Sequence, residues 1–392
     1  MRSFYQAVML AGVLALSWPL AAQQNPNCSN YRVVVGSPED QLTLAVNAAS
    51  DPNAKVALLE KFAQEHSDSS YLSCAEQLLT KNYVTLQQYD QALAAGQKVI
   101  AANTLDVPFV ENMLQAYMGS GKAVDEAFDM IFKAAPLIQA ETVVERSTSE
   151  SDAQYEAAKK AAVQRAASDT TYMAYAFFHL SSGVTDASRQ IKLLDQFAQA
   201  YPETAKEQAG QLNYRYAVAY TRANQPEKAD EFAEKAIAAD PGNVEALNLV
   251  SYDYAFRRRI NQAKAEEYAK KVLTLIPAMK KPEGASDEWF KAQQDTQQGM
   301  AHLTVGYLEL GKSSQSHQAA GAIKELQQAA DLLAANPELQ GQAYYFLGDA
   351  YEQLRPPDHR RALAALAHAV SLKSSMQGQA RQLVDRIKQV AH

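Results

Sequence analysis

Two amphipathic segments separated by a short polar break occupy residues 211–241. Their apolar residues recur at helical spacing, and Pro226 follows the break at a position where the first turn of a helix accepts proline. Neither apolar stripe can be buried within its own segment. The stretch therefore predicts a hairpin of two antiparallel helices that must pack against further helices.

Large and small side chains are placed along this hairpin in a 34-residue pattern. Tyr216 and Ala217 form a large–small pair in the first helix, Ala229 and Ala236 stand where the second helix approaches it, and Pro241 closes the unit. Two helices pack at a short axial distance only where side chains are short. The pattern resembles the tetratricopeptide repeat (TPR), which implies helix hairpins stacked into a solenoid.

The same pattern recurs elsewhere in the chain. Further hairpins fit residues 79–99, 247–277 and 344–369, and the segment that begins at Leu58 recurs from Leu193, roughly four repeat periods later. We therefore predict an all-α fold, an α-solenoid of TPR-like antiparallel helix hairpins with about 18 helices. The resemblance implies a right-handed superhelix, and a last amphipathic helix is expected to cap its C-terminal end.

Changes in composition divide the chain into predicted regions, because polar runs with proline, glycine or serine interrupt the helical pattern. The most polar interruption, after Glu141, is the best candidate for a flexible joint. The predicted regions are a signal peptide at 1–22, an N-terminal segment with an irregular start and one helix at 23–52, a first TPR-like block at 53–140, a polar helical linker at 141–169, a central TPR block at 170–277, and a C-terminal TPR-like block with its capping helix at 278–392.

The first 22 residues are typical of a secretory signal peptide. Arg2 precedes an uninterrupted run of small and apolar residues, and small residues precede Gln23 at the expected cleavage point. An uncleaved membrane anchor is the alternative, although the run is shorter than the ~20 residues that a span needs. We expect an exported, periplasmic protein with no stable membrane span after cleavage.

Two cysteines, Cys28 and Cys74, follow the predicted signal peptide. An oxidising compartment would allow a disulfide between them. Two unpaired thiols are the alternative, because pairing depends on a geometry that the sequence does not fix.

Residues that could support catalysis or metal binding form no recognisable pattern. The seven histidines are scattered without a His-x-x-x-His pair, and the sequence has neither a Gly-x-Ser-x-Gly elbow nor a phosphate-binding glycine loop. We therefore predict a non-enzymatic protein with no cofactor and no metal. A net charge of −7 argues against a nucleic-acid partner. The arginine run at 257–259 is interpreted as a solvated hairpin turn, with contact to an acidic partner as the alternative.

The first helices of stacked hairpins line the concave side of a solenoid, so their outward positions are candidates for a binding surface. Tyrosine at such positions offers contact area and a hydrogen-bonding tip. Packing between neighbouring helices is the alternative role for each of these side chains. The candidate protein-binding residues are Tyr214, Val218, Arg222, Asn248, Tyr252, Phe256, Tyr345 and Asp349.

The segments near Leu58 and Leu193 also resemble the repeats of exported bacterial envelope proteins. That resemblance implies a protein–protein interaction scaffold of the cell envelope, which binds a peptide or protein on its concave face. The alternative is an accessory frame of an envelope enzyme or carbohydrate-binding complex, with its site near Trp289 or within residues 141–169.

Overall fold

The computed structural model describes Cys28 and residues 31–122, 124–282, 285–316 and 319–390. Within these ranges the chain forms 18 α-helices and no β-strand, so the predicted all-α fold is confirmed. The helices are α1 Pro38–Ala48, α2 Pro52–Glu65, α3 Leu72–Thr85, α4 Tyr89–Ala102, α5 Val107–Ser120, α6 Val124–Glu141, α7 Asp152–Ser181, α8 Ala187–Ala200, α9 Pro202–Glu207, α10 Ala209–Arg222, α11 Pro226–Ala239, α12 Val244–Tyr252, α13 Gln262–Leu275, α14 Asp287–Ser316, α15 Ala320–Leu332, α16 Pro337–Glu352, α17 His359–Ser371 and α18 Gln377–Val390. The predicted signal peptide lies outside the described residues.

Side-chain caps mark the starts of α1 and α2. The Ser37 side chain accepts a hydrogen bond from the Asp40 amide at the start of α1, and the Asp51 side chain accepts one from the Asn53 amide at the start of α2. In both helices a proline occupies the first turn, where its missing N–H leaves no intrahelical bond unmade.

The chain divides into two compact units, with unit 1 ending at Ala176 and unit 2 beginning at Phe177. In unit 1 the helices from α1 to α6 each pack against the next along the chain. Leu59, Phe62 and Leu79 are buried in the core of its first helices. A disulfide joins Cys28 to Cys74 at a Cα–Cα distance of 5.3 Å and attaches the N-terminal segment to α3.

Unit 2 is a succession of antiparallel helix pairs. The pairs are α10 with α11, α12 with α13, α14 with α15, and α16 with α17, as the TPR-like pattern predicts. The first helices α12, α14 and α16 also contact one another in that order. The last helix, α18, packs on α16 and α17 and buries Ala380 and Ile387 against them. It therefore occupies the position expected for a terminal cap.

Three segments differ in detail from what the sequence suggests. The polar run 311–317 predicts a hairpin turn, yet α14 continues through it to Ser316, and residue 317 lies outside the described residues. Residues 253–257 form a π-helical turn after α12. This turn accommodates the residues that the hairpin has beyond the 34-residue pattern. A single helix, α7, runs from 152 to 181 across the predicted end of the linker at 169.

Two buried carboxylates lie beside the π-helical turn. Asp230 on α11 is 7% exposed and Asp253 at the start of the turn is 4% exposed. Arg258 donates to Asp230 Oδ2 at 2.6 Å, while Arg257 lies 3.7 Å from Asp253 Oδ1. The buried Asp253 Oδ2 has no hydrogen-bond partner among the described residues. Burial, and then the charge of Asp253, raises the pKa of Asp230 to about 6, and burial also raises the pKa of Asp253.

We expect this carboxylate pair to make the stability of unit 2 fall as the pH rises. A raised pKa means that the folded chain binds the proton more tightly than the unfolded chain, so the stabilisation is complete below the ordinary aspartate pKa and is lost as the pH rises through about 6. Asp253→Asn removes the repulsion. Its free energy of unfolding relative to the natural chain should therefore increase between about pH 4.5 and pH 7.5, measured by urea denaturation.

The matched control for this prediction is Asp331→Asn, which changes an exposed aspartate on α15. Its stability difference from the natural chain should stay flat over the same pH range. A flat difference for Asp253→Asn as well would contradict the contribution of Asp253 to the raised pKa of Asp230.

Candidate functional site

Aromatic side chains from α12 with its π-helical turn, from α14 and from α16 meet in one cluster in unit 2. Phe256 in the π-helical turn lies 4.4 Å from Tyr307 on α14 and 5.7 Å from Phe346 on α16, measured between ring centroids. The rings of Tyr307 and Phe346 are 4.9 Å apart. Tyr252 packs on Phe256 at 4.7 Å and donates a hydrogen bond to Gln342 Oε1 at 2.9 Å. The cluster therefore fixes α12, α14 and α16 to one another.

A cavity of about 400 Å³ opens beside this cluster. Its walls come from α14 and α16, and the first residue of α13 completes the rim. The lining residues are Gln262, Tyr307, Leu308, Leu310, Gly311, Lys312, Phe346, Asp349 and Gln353. Two aromatic rings, two amides and two opposite charges thus face a space that is large enough for one or two side chains of a ligand.

The two charged side chains that line the cavity differ in their ion pairing. Lys312 Nζ forms an ion pair with Glu266, a residue that also pairs with Lys270. The half-buried Asp349 carboxylate accepts a hydrogen bond from Gln353 Nε2 at 3.2 Å, and no described lysine or arginine forms an ion pair with it. Burial raises the pKa of Asp349, whereas the hydrogen bond from Gln353 and then the charge of Arg386 on α18 oppose that shift.

Four of the predicted binding residues lie in or near this cavity. Asp349 is part of its lining. Tyr252 and Phe256 belong to the aromatic cluster, and Tyr345 makes an edge contact with Phe346 at 5.2 Å between ring centroids. All four side chains are partly exposed. Each of these side chains packs against neighbouring helices and is also partly accessible to solvent. Their assignment to a binding face therefore stays a prediction.

The other four predicted residues lie on α10 and α12. Tyr214 packs against the core of the α10–α13 region, and burial raises its pKa to about 12. Val218 is half-buried. Arg222 is exposed but donates to the Val184 carbonyl and to Gln190 Oε1, both at 3.2 Å.

Asn248 is 1% exposed, and its amide donates to the Gln297 carbonyl at 2.9 Å and to Gln297 Oε1 at 2.6 Å. It joins α12 to α14. None of these four residues lines the cavity described above.

Most of the cavity lining was not among the predicted residues. Tyr307 and Lys312 lie on α14, a 30-residue helix whose repeat pattern is weak in the sequence. Phe346 precedes the large–small pair of α16, where the pattern suggests an inward position. The sequence nevertheless contains a signal for the position of the cavity. Gly306 and Gly348 mark close contacts between helices, and the residue after each of them lines the cavity.

Comparison with known proteins gives structural similarity only. No protein family matches the sequence, and no curated protein does. Yeast Tom70 matches with a TM-score of 0.39 and 12% identity over 93% of this chain, which spans 66% of that protein. A human IFIT1 dimer with PPP-AAAA matches with a TM-score of 0.31 and 15% identity over 87% of this chain and 78% of the other. The Cut9–Hcn1 tetramer of APC/C matches with a TM-score of 0.28 and 12% identity over 90% of this chain and 84% of the other.

Two further properties concern the described part of the chain. No group of three or more His, Cys, Asp or Glu side chains is arranged there to hold a metal ion. None of its helices combines the length and the apolar character that crossing a bilayer requires.

We expect Phe256→Ala to lower the free energy of unfolding of unit 2 by about 3–5 kcal/mol, because the lost ring leaves a cavity between three helices. Tyr252→Phe, which keeps the ring and removes the hydrogen bond to Gln342, should cost only about 1 kcal/mol. Chemical denaturation of both variants measures these differences.

The control for this comparison is Trp289→Ala, because Trp289 is 51% exposed. It should change the free energy of unfolding by no more than about 0.5 kcal/mol. A Phe256→Ala variant as stable as the control would contradict the packing of the aromatic cluster.

Proposed function

We propose that the protein is a non-enzymatic protein-interaction scaffold and that the cavity of unit 2 binds a peptide segment of its partner. The observation that carries this proposal is the position of the cavity across α14 and α16, the first helices of two successive hairpins. First helices form the accessible inner surface of helical-repeat stacks, where extended segments bind.

The chemistry of the lining suits a peptide. The rings of Tyr307 and Phe346 provide apolar contact area at small entropic cost, and Tyr307 adds a polar tip. Gln262 and Gln353 each carry an amide, which can both donate to and accept from a peptide backbone. A cavity of about 400 Å³ lies within the usual size range of ligand sites.

We further propose that the protein acts outside the cytoplasm, as a component of the bacterial cell envelope. The signal-peptide pattern of residues 1–22 supports export. The Cys28–Cys74 disulfide supports it as well, because disulfides persist mainly in oxidising compartments.

Export predicts that the chain isolated from its native host begins near Gln23 and is found outside the cytosol. N-terminal sequencing of the fractionated protein checks this. An intact Met1 start in the cytosolic fraction would contradict the proposed location.

Binding at the cavity predicts a site-dependent crosslink to a protein. A photo-crosslinking amino acid at Gln262, on the cavity rim, should capture one partner in the native host, which mass spectrometry would identify. The same amino acid at Gln328, an exposed glutamine on α15, is the matched control and should not capture it. A synthetic peptide from the captured segment should then bind the purified chain.

Equal capture at Gln262 and Gln328 would exclude a specific role of the cavity. Retention of a glycan by the purified chain, without capture of any protein, would instead favour the carbohydrate-binding alternative.

A further inference from the structure

The charge balance within the cavity of unit 2 favours one class of ligand side chain. Asp349 reaches the cavity from α16 and receives a single described hydrogen bond, from the neutral Gln353 amide. The positive charge of the lining, on Lys312, is already paired with Glu266. The charge of Arg386 on α18 also acts on Asp349, but the two side chains form no ion pair. A partly buried carboxylate that forms no ion pair is stabilised further when a positive charge is placed directly against it.

The aromatic wall of the cavity favours the same class. Phe346 and Tyr307 line the space together with Asp349, and their ring centroids are 4.9 Å apart. The faces of aromatic rings attract lysine and arginine, and the attraction grows as the cation loses water. An arginine in addition matches the geometry of a carboxylate with two parallel N–H groups.

An acidic side chain would fit this cavity poorly. It would be repelled by the charge of Asp349, and the Lys312 ammonium group that could balance that repulsion is largely exposed to water and already forms an ion pair with Glu266. A neutral apolar side chain would displace water from the cavity and leave the carboxylate with the Gln353 amide as its one hydrogen-bond donor among the described residues.

We infer that the cavity receives an arginine or lysine side chain of the bound segment, with its charge against Asp349 and its aliphatic part against Phe346 and Tyr307. This inference rests on the proposed peptide-binding function and specifies the partner as a segment with a basic residue at one defined position.

The experiment begins with a random 12-residue peptide library displayed on phage and selected on the purified chain. Enriched peptides should share arginine or lysine at one position. Replacing that arginine by citrulline, which has nearly the same shape without the charge, should weaken binding about 10- to 100-fold by calorimetry. For a lysine, norleucine is the corresponding neutral replacement.

Asp349→Asn should abolish this discrimination and bind the charged and neutral peptides within about twofold of each other, while Asp331→Asn should retain it. Asp349→Lys should select glutamate or aspartate at the same position. Thermal melting shows that each variant is folded. Phe346→Leu tests whether the cation lies against the aromatic ring. This variant should lose more affinity for the charged peptide than for the neutral one.

Three results would overturn the inference. Enriched peptides without a basic residue, or discrimination that survives in Asp349→Asn, would refute the cationic side chain while leaving the peptide-binding function intact. Peptides that bind the chain equally well when cavity residues are changed would refute both.

Discussion

The close approach of antiparallel helices at small side chains is the interaction on which this fold depends. Gly306 and Gly348 stand opposite Leu326 and Leu366 in neighbouring helices, and a methyl group added at either glycine would lie within 3 Å of the facing leucine. Ala362 is fully buried in the same contact region. Such contacts place each helix at a defined distance from its partner, so that the apolar stripes of successive helices form a continuous core.

The cavity of unit 2 is a consequence of this packing. Tyr307 follows Gly306 and Asp349 follows Gly348, so the residues that bring α14 to α15 and α16 to α17 are adjacent to residues that line the cavity. The π-helical turn at 253–257 then presents Phe256 to both α14 and α16. Helix pairing, the aromatic cluster and the proposed binding site are therefore parts of one arrangement.

The sequence predicts the hairpins well because each one carries local signals, a turn and small residues at a fixed spacing. Several of the helices, among them α12, α16 and α17, also begin at a capping residue. The same local signals failed at 311–316, where glycine and serine suggested a turn that the packing of α14 overrides. The cavity was predicted only in part, through Asp349, because its lining comes from three helices whose register is set by tertiary contacts. The direction of Phe256 depends on one π-helical turn, which no residue pattern in the sequence marks.

The central claim, that paired helices approach closely where side chains are small, is tested most directly at the α16–α17 contact by comparing Gly348→Ala with Gly311→Ala. Both glycines are helical, but an added methyl group at Gly348 would lie 2.6 Å from Leu366 Cγ, whereas at Gly311 it would meet nothing within 4 Å. Gly311→Ala should raise the free energy of unfolding by up to about 1 kcal/mol through helix propensity. Gly348→Ala should lower it by about 1–3 kcal/mol through overpacking. Equal stabilisation by both substitutions would contradict the close approach of α16 and α17.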